Sequence, residues 1–125
     1  MTKQTDFALR TLIYLAKQDS GKRVLVQEIS TAYAIPLNHL TKIVNKLSQL
    51  GYIKSYRGRH GGVELGKDAF DICIRQVIED FEPSLSPADC DNCVLDGTCD
   101  LKGHLELANQ AFLNALGSKS LADMV

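Results

Sequence analysis

Tryptophan is absent from this 125-residue chain, and four Tyr and four Phe are its only aromatic residues. With 45% hydrophobic residues, a core is within reach, but it must be mainly aliphatic. Prolines number three, so long helices are permitted. No apolar run approaches the roughly 20 residues of a membrane helix. The first residues, MTKQTDF, lack the charged region and apolar stretch of a secretory leader. These absences together predict one reduced, cytoplasmic domain. Enzyme chemistry is not expected either, because no histidine base or oxyanion loop accompanies the cysteines.

The charge that is present is unevenly spread. Residues 1–67 hold eleven Lys/Arg against four Asp/Glu, a balance of +7. Residues 68–125 hold three against eleven, a balance of −8, which conceals the split inside a net charge of −1. A basic half can track a polyanion while an acidic half stays off it.

Periodicity predicts five helices and one hairpin. DFALRTLIYLAK over 6–17 has apolar side chains at helical spacing, with Thr5 or Asp6 as cap. VQEISTAYA reads as a short second helix with Ile29 and Ala32 inward. IPLNHLTKIVNKLSQLG is the clearest helix, with Leu40, Ile43, Val44, Leu47 and Leu50 forming the apolar stripe. Pro36 suits its first turn and Gly51 its end. Two short strands, around Tyr52–Lys54 and Gly62–Leu65, enclose the glycine-rich tip RGRHGG. FDICIRQVIEDF over 70–81 predicts a fourth helix, with Cys73 as a small core residue in its middle. Residues 82–100 show no periodicity, a length that in a compact domain marks a functional or disordered loop. The run from Leu101 to Leu116 closes with a strong helix carrying Leu101, Leu105, Ala108, Phe112 and Ala115, and SKSLADMV follows as a partly apolar tail.

The expected fold is therefore mainly α with a small β-hairpin: a winged helix-turn-helix domain over 1–81, a loop over 82–100, and a helix and tail over 101–125. The third helix is long enough to lie in a DNA major groove. Asn38, His39 and Lys42 sit near its start, where such helices usually meet DNA, and Lys46 lies further along. Asparagine pairs with adenine, and lysine approaches guanine or phosphate. Arg57, Arg59 and His60 ride on the hairpin tip, whose small residues suit entry into a minor groove.

The stretch DCDNCVLDGTCD over 89–100 carries Cys90, Cys93 and Cys99 among four aspartates. A calcium loop would need glycine at its sixth position and glutamate at its twelfth, and the chain has Val94 and Asp100 there. A disulfide would strand one thiol and require an oxidising compartment. Zinc and an iron–sulfur cluster remain, and spacing alone does not separate them.

The whole chain resembles the bacterial Rrf2-type regulators, and within them the nitric-oxide-sensing repressor branch, NsrR. The resemblance runs through TDFALRTLIYLA, NHLTKIVNKLSQLGYIKSYRGRHGGVELGK, the C-x5-C-x-L-K of residues 93–102, QAFLNAL and SLADMV. It implies a winged-helix homodimer bound to a palindromic operator, with the Leu101–Leu116 helix crossing its partner. It implies an iron–sulfur cluster held by Cys90, Cys93 and Cys99, with [4Fe–4S] favoured over [2Fe–2S], and Asp6 of the partner subunit as fourth ligand. The signal would be nitric oxide and the outcome relief of repression. Related IscR regulators bind [2Fe–2S] with a histidine three residues after the last cysteine, where this chain has Lys102. An IscR-type redox or cluster-status regulator and, in another class, a zinc-stabilised interaction module are the alternative readings.

Overall fold

The structure, a computed structural model, describes residues 2–18, 22–59, 61–82 and 101–125. Helix α1 spans Lys3–Ala16, α2 Val26–Tyr33, α3 Leu37–Gln49, α4 Ile74–Phe81 and α5 Leu101–Leu116. Strands β1 (Ile53–Tyr56) and β2 (Gly62–Leu65) form an antiparallel hairpin in the register Ile53↔Leu65 to Tyr56↔Gly62. This is the expected winged helix-turn-helix order.

The core is mainly aliphatic, as expected, with Phe81 and Tyr52 as its buried aromatic residues. Leu12 and Ala8 of α1, Ile29 of α2, Leu40 and Leu47 of α3, Val63 of β2 and Val77 of α4 are all buried in it. The helices meet because each presents one apolar stripe at helical spacing, and burying that stripe is the main stabilising term.

Chain entry into α1 differs from the sequence expectation. Thr2, rather than Thr5 or Asp6, is the N-cap; its Oγ1 accepts from Thr5 N at 3.4 Å. Thr5 is instead fully buried, and its hydroxyl donates to Glu82 Oε1 at 2.8 Å. The same oxygen accepts from Thr2 N at 2.8 Å, so the end of α4 is tied to the start of α1.

The turn between α2 and α3 is tight. Ala34 adopts the left-handed conformation at φ 54°, a strained geometry for a residue with a Cβ. Ser30 offsets this: its carbonyl accepts from Ile35 N at 3.1 Å and its hydroxyl donates to Ile35 O. Ala32, expected inward, is exposed, and Ile29 is the buried side chain of α2. Helix α3 ends at Gln49, with Gly51 at φ 85° just beyond. A glycine there meets the left-handed turn that ends many helices. Leu50, expected in the buried stripe, is the C-cap and stays 38% exposed.

The expected helix over 70–81 is corrected by the chain's far end. Asp68 caps a short 3-10 turn, Ala69–Asp71, by accepting from Phe70 N at 2.9 Å. Ile72 and Cys73 are then extended, and α4 begins only at Ile74, with Cys73 as N-cap. Leu121 N donates to Ile72 O at 2.8 Å, and Ile74 N donates to Lys119 O at 3.1 Å. The backbone groups a helix would have used are thus committed to the tail. Leu121 is fully buried and opens a second 3-10 turn, Leu121–Met124, held by a Ser120–Asp123 capping box. The tail therefore packs into the same core as residues 1–81.

Candidate nucleic-acid interface

Helix α3 buries Leu40, Ile43, Val44 and Leu47 and leaves the opposite face to solvent. Asn38, His39 and Lys42 are exposed on that face, together with Thr41 and Asn45. Thr41 donates its hydroxyl to Leu37 O at 2.8 Å, so its proton is already committed within the helix. Lys46 is only half-exposed, and its Nζ lies 4.6 Å from the centroid of the buried Phe81 ring. That cation–π contact ties α3 to α4 and draws Lys46 away from the Asn38–Lys42 cluster.

The hairpin is braced at its base. Arg23 stacks 3.5 Å above the Tyr56 ring, and Tyr56 donates its hydroxyl to Glu64 at 2.7 Å. The hydrogen bond to the Glu64 carboxylate raises the Tyr56 pKa above the usual phenol value. Val24 pairs with Val63 through both backbone hydrogen bonds, at 2.9 and 2.8 Å, and so fixes the wing to the segment that enters α2. A Cβ on Gly62 would meet Val24 O at 2.8 Å, so this close approach requires glycine. Arg57 and Arg59 are exposed at the tip; His60 lies outside the described residues.

Two grooves flank the solvent face of α3. One, of about 330 Å³, lies between α3 and the wing and is lined by Thr41, Asn45, Tyr56 and Gly61, among others, with Leu25 63% exposed at its edge. The other, of about 220 Å³, lies between the starts of α1 and α3 and is lined by Lys3, Gln4, Phe7, His39, Lys42 and Ile43. Sequence reasoning passed over Lys3, Gln4, Arg23 and Leu25. The basic charge at positions 3 and 23 was visible, but its placement beside α3 and the wing comes from contacts distant in sequence.

Of the expected metal ligands, Asp6 is described and Cys90, Cys93 and Cys99 lie outside the described residues. Asp6 sits in the first turn of α1, part-exposed, and pairs with Arg10 one turn on: Arg10 Nε donates to Oδ1 at 3.1 Å, and Nη2 is 3.0 Å from Oδ2. Among the described residues no three His, Cys, Asp or Glu side chains gather as a metal site. Cys73 is a part-buried free thiol, its Sγ 3.7 Å from Gly117 O. Tyr52 donates to Asp80, and burial first, then this hydrogen bond, raises its pKa well above the usual phenol value. These groups brace α4 and lie apart from the α3 face.

The family model described as Rrf2, iron-dependent transcriptional regulator, matches residues 1–125. The chain belongs to the Rrf2 family. It is a transcriptional regulator of that type, and the family is not one of enzymes. The structure is similar to that of CymR, the global cysteine regulator of B. subtilis, with a TM-score of 0.81 and 26% sequence identity over 99% of this chain and 94% of CymR. It is also similar to IscR of T. potens, with a TM-score of 0.80 and 22% identity over 99% of this chain and 84% of that one. CymR of Staphylococcus aureus gives 0.79 and 21%, over 96% and 93%. The last two likenesses concern the fold. The Rrf2 assignment makes α3 the candidate recognition helix and the β1–β2 hairpin the wing. Among the described residues no helix is long and apolar enough to cross a membrane.

Proposed function

We propose that this Rrf2 chain is a cytoplasmic homodimeric repressor that reads a palindromic operator through α3 and the wing, and that an iron–sulfur cluster sensitive to nitric oxide governs the binding. The observation that carries the DNA reading is the shared exposure of Asn38, His39 and Lys42 on α3 and of Arg57 and Arg59 on the wing, with a groove between the two elements. In this reading Asn38 and Lys42 meet base edges or phosphate, His39 the backbone, and the wing arginines a minor groove, with His60, the next residue in the sequence, as a further candidate. Lys46 serves the interface less directly, through the α3–α4 contact.

Cys90, Cys93, Cys99 and Asp6 of the partner subunit make up the proposed ligand set. Three thiolates with one carboxylate match the chemistry of an iron–sulfur site in which one iron takes an oxygen ligand. The iron-dependent character of the family and the Asp6 position at the exposed start of α1 support this reading. When bound, the cluster supplies iron that reacts with nitric oxide. The chain supplies the link to DNA. Asp6 shares its turn of α1 with Phe7, which lines the groove against His39, Lys42 and Ile43. Asp6 would exchange between the cluster and Arg10, its partner in the structure, and so would link the cluster to the turn of α1 that carries Phe7. Glu82, bonded to Thr2 and Thr5, tethers the entrance of the 83–100 segment to the same turn.

Homodimerisation rests on α5. Leu107 is 70% and Phe112 46% exposed, and Ala108, Ala111 and Ala115 continue that apolar surface. A second α5 would cover it.

Anaerobic isolation with iron, sulfide and zinc analysis tests the cofactor. The expected protein is brown and carries near-stoichiometric iron and sulfide, both lost in a Cys93→Ser variant. A colourless protein with one zinc per chain would turn the reading to a zinc-stabilised module.

A further inference from the structure

The groove beside the start of α3 has the composition of an anion site. Lys3, His39 and Lys42 line it, Gln4 adds an amide, and Phe7 and Ile43 supply apolar surface. No carboxylate is among its lining residues. Lys3, His39 and Lys42 are exposed, and among the described residues none of the three is in an ion pair.

Its position matters as much as its charge. Thr41 and Asn45 border the wing-side groove, whereas His39 and Lys42 border this one. On a helix with 3.6 residues per turn these pairs fall on opposite flanks of the exposed face. A helix lying in a major groove has a sugar–phosphate strand on each flank, because the groove is only about 12 Å wide. The wing serves one strand. The other strand needs a cationic surface on the α1 side of α3, and Lys3 is the residue that α1 places there.

We propose that Lys3 and Gln4 form a phosphate subsite with His39 and Lys42, which clamps the operator strand opposite the wing. Lys3 and Lys42 neutralise one phosphate, Gln4 donates its amide to the same group, and Phe7 packs against the adjoining sugar. The subsite positions the recognition helix and carries no sequence information itself. It rests on the DNA-reading function proposed above.

The experiment uses the full chain isolated anaerobically and a duplex selected by that chain from a random library. Affinity is measured by fluorescence anisotropy across a salt series for wild type and Lys3→Gln. Both are then titrated against duplexes carrying a single neutral methylphosphonate at each backbone position in turn. Lys3→Gln should bind about 3- to 10-fold more weakly, with the salt slope reduced by about 1 and the selected sequence unchanged. One methylphosphonate outside the wing footprint should weaken wild type and leave Lys3→Gln unaffected. If wild type binds with a steep salt dependence while Lys3→Gln matches it in slope and methylphosphonate profile, the subsite is overturned and the DNA-reading function stands. If wild type selects no duplex, the DNA-reading function itself falls, and the subsite with it.

Discussion

The body formed by α1 to α4 with the wing and α5 solve the same problem differently. In the body, stripes at helical spacing find partners within the chain, and Leu12, Ile29, Leu40, Leu47 and Val77 are fully buried. In α5, Leu113 is the one buried side chain among the described residues, while Leu107 and Phe112 stay open. Both regions have apolar residues at helical spacing. The body closes its stripes inside the fold, whereas α5 leaves most of its own exposed, where the proposed dimer would cover it. Residues that look equivalent in sequence are therefore used differently: one set is buried within the chain, and the other would act only in the proposed dimer.

That contrast breaks most clearly in the body. Leu12→Ala should cost about 2–5 kcal/mol, because it opens a cavity in a packed core. Urea unfolding should show this loss equally at low and high protein concentration. The paired change Leu107→Glu and Phe112→Glu comes next. Each fully buried Leu or Phe contributes roughly 1.5–3 kcal/mol, so removing two should weaken self-association by at least about 100-fold. Sedimentation should then report a monomer whose helical circular dichroism is largely retained; a stable dimer would contradict the role given to α5.

A smaller change probes a tie within the body, between the start of α1 and the end of α4. Thr5→Val keeps the side-chain shape but removes a hydroxyl that donates to Glu82 at 2.8 Å. The expected loss is about 1–2 kcal/mol, since Glu82 keeps Thr2 N as its other donor. Operator affinity should also become less responsive to the cluster, and unchanged responsiveness would remove Glu82 from the coupling route. The smallest effect lies within the reading unit. Ala34→Gly relieves the left-handed strain of the α2–α3 turn and should stabilise the chain by about 0.5–1 kcal/mol in a thermal scan.

Much of this was legible in the sequence, where local pattern decides the outcome. The α3 stripe, the Gly51 stop and the glycine-rich wing are written in adjacent residues, and the structure places them within a residue or two of expectation. The misplaced features have distant causes. Ile72 and Cys73 are extended because the tail at 119–121 takes the hydrogen bonds of Ile72 O and Ile74 N on either side of Cys73, and no window around residue 72 contains that information. Thr2, Thr5 and Asp6 are all competent caps, and Glu82, at the far end of α4, helps settle their roles. The same holds for the site. Arg57 and Arg59 are candidates from the local wing pattern, and the structure leaves both exposed, whereas Lys3 lines a groove with α3 through a contact distant in sequence. Lys46, a DNA-binding candidate from its helix position, is half-exposed with its Nζ near the Phe81 ring, a contact that no local window shows.

The most direct measurement is operator affinity under strict anaerobiosis, before and after stoichiometric nitric oxide, on the same cluster-loaded sample. Affinity should fall at least about 10-fold on addition, and Asp6→Ala protein should start near the lower value. Equal affinity in the two states would contradict the claim that this Rrf2 regulator senses nitric oxide.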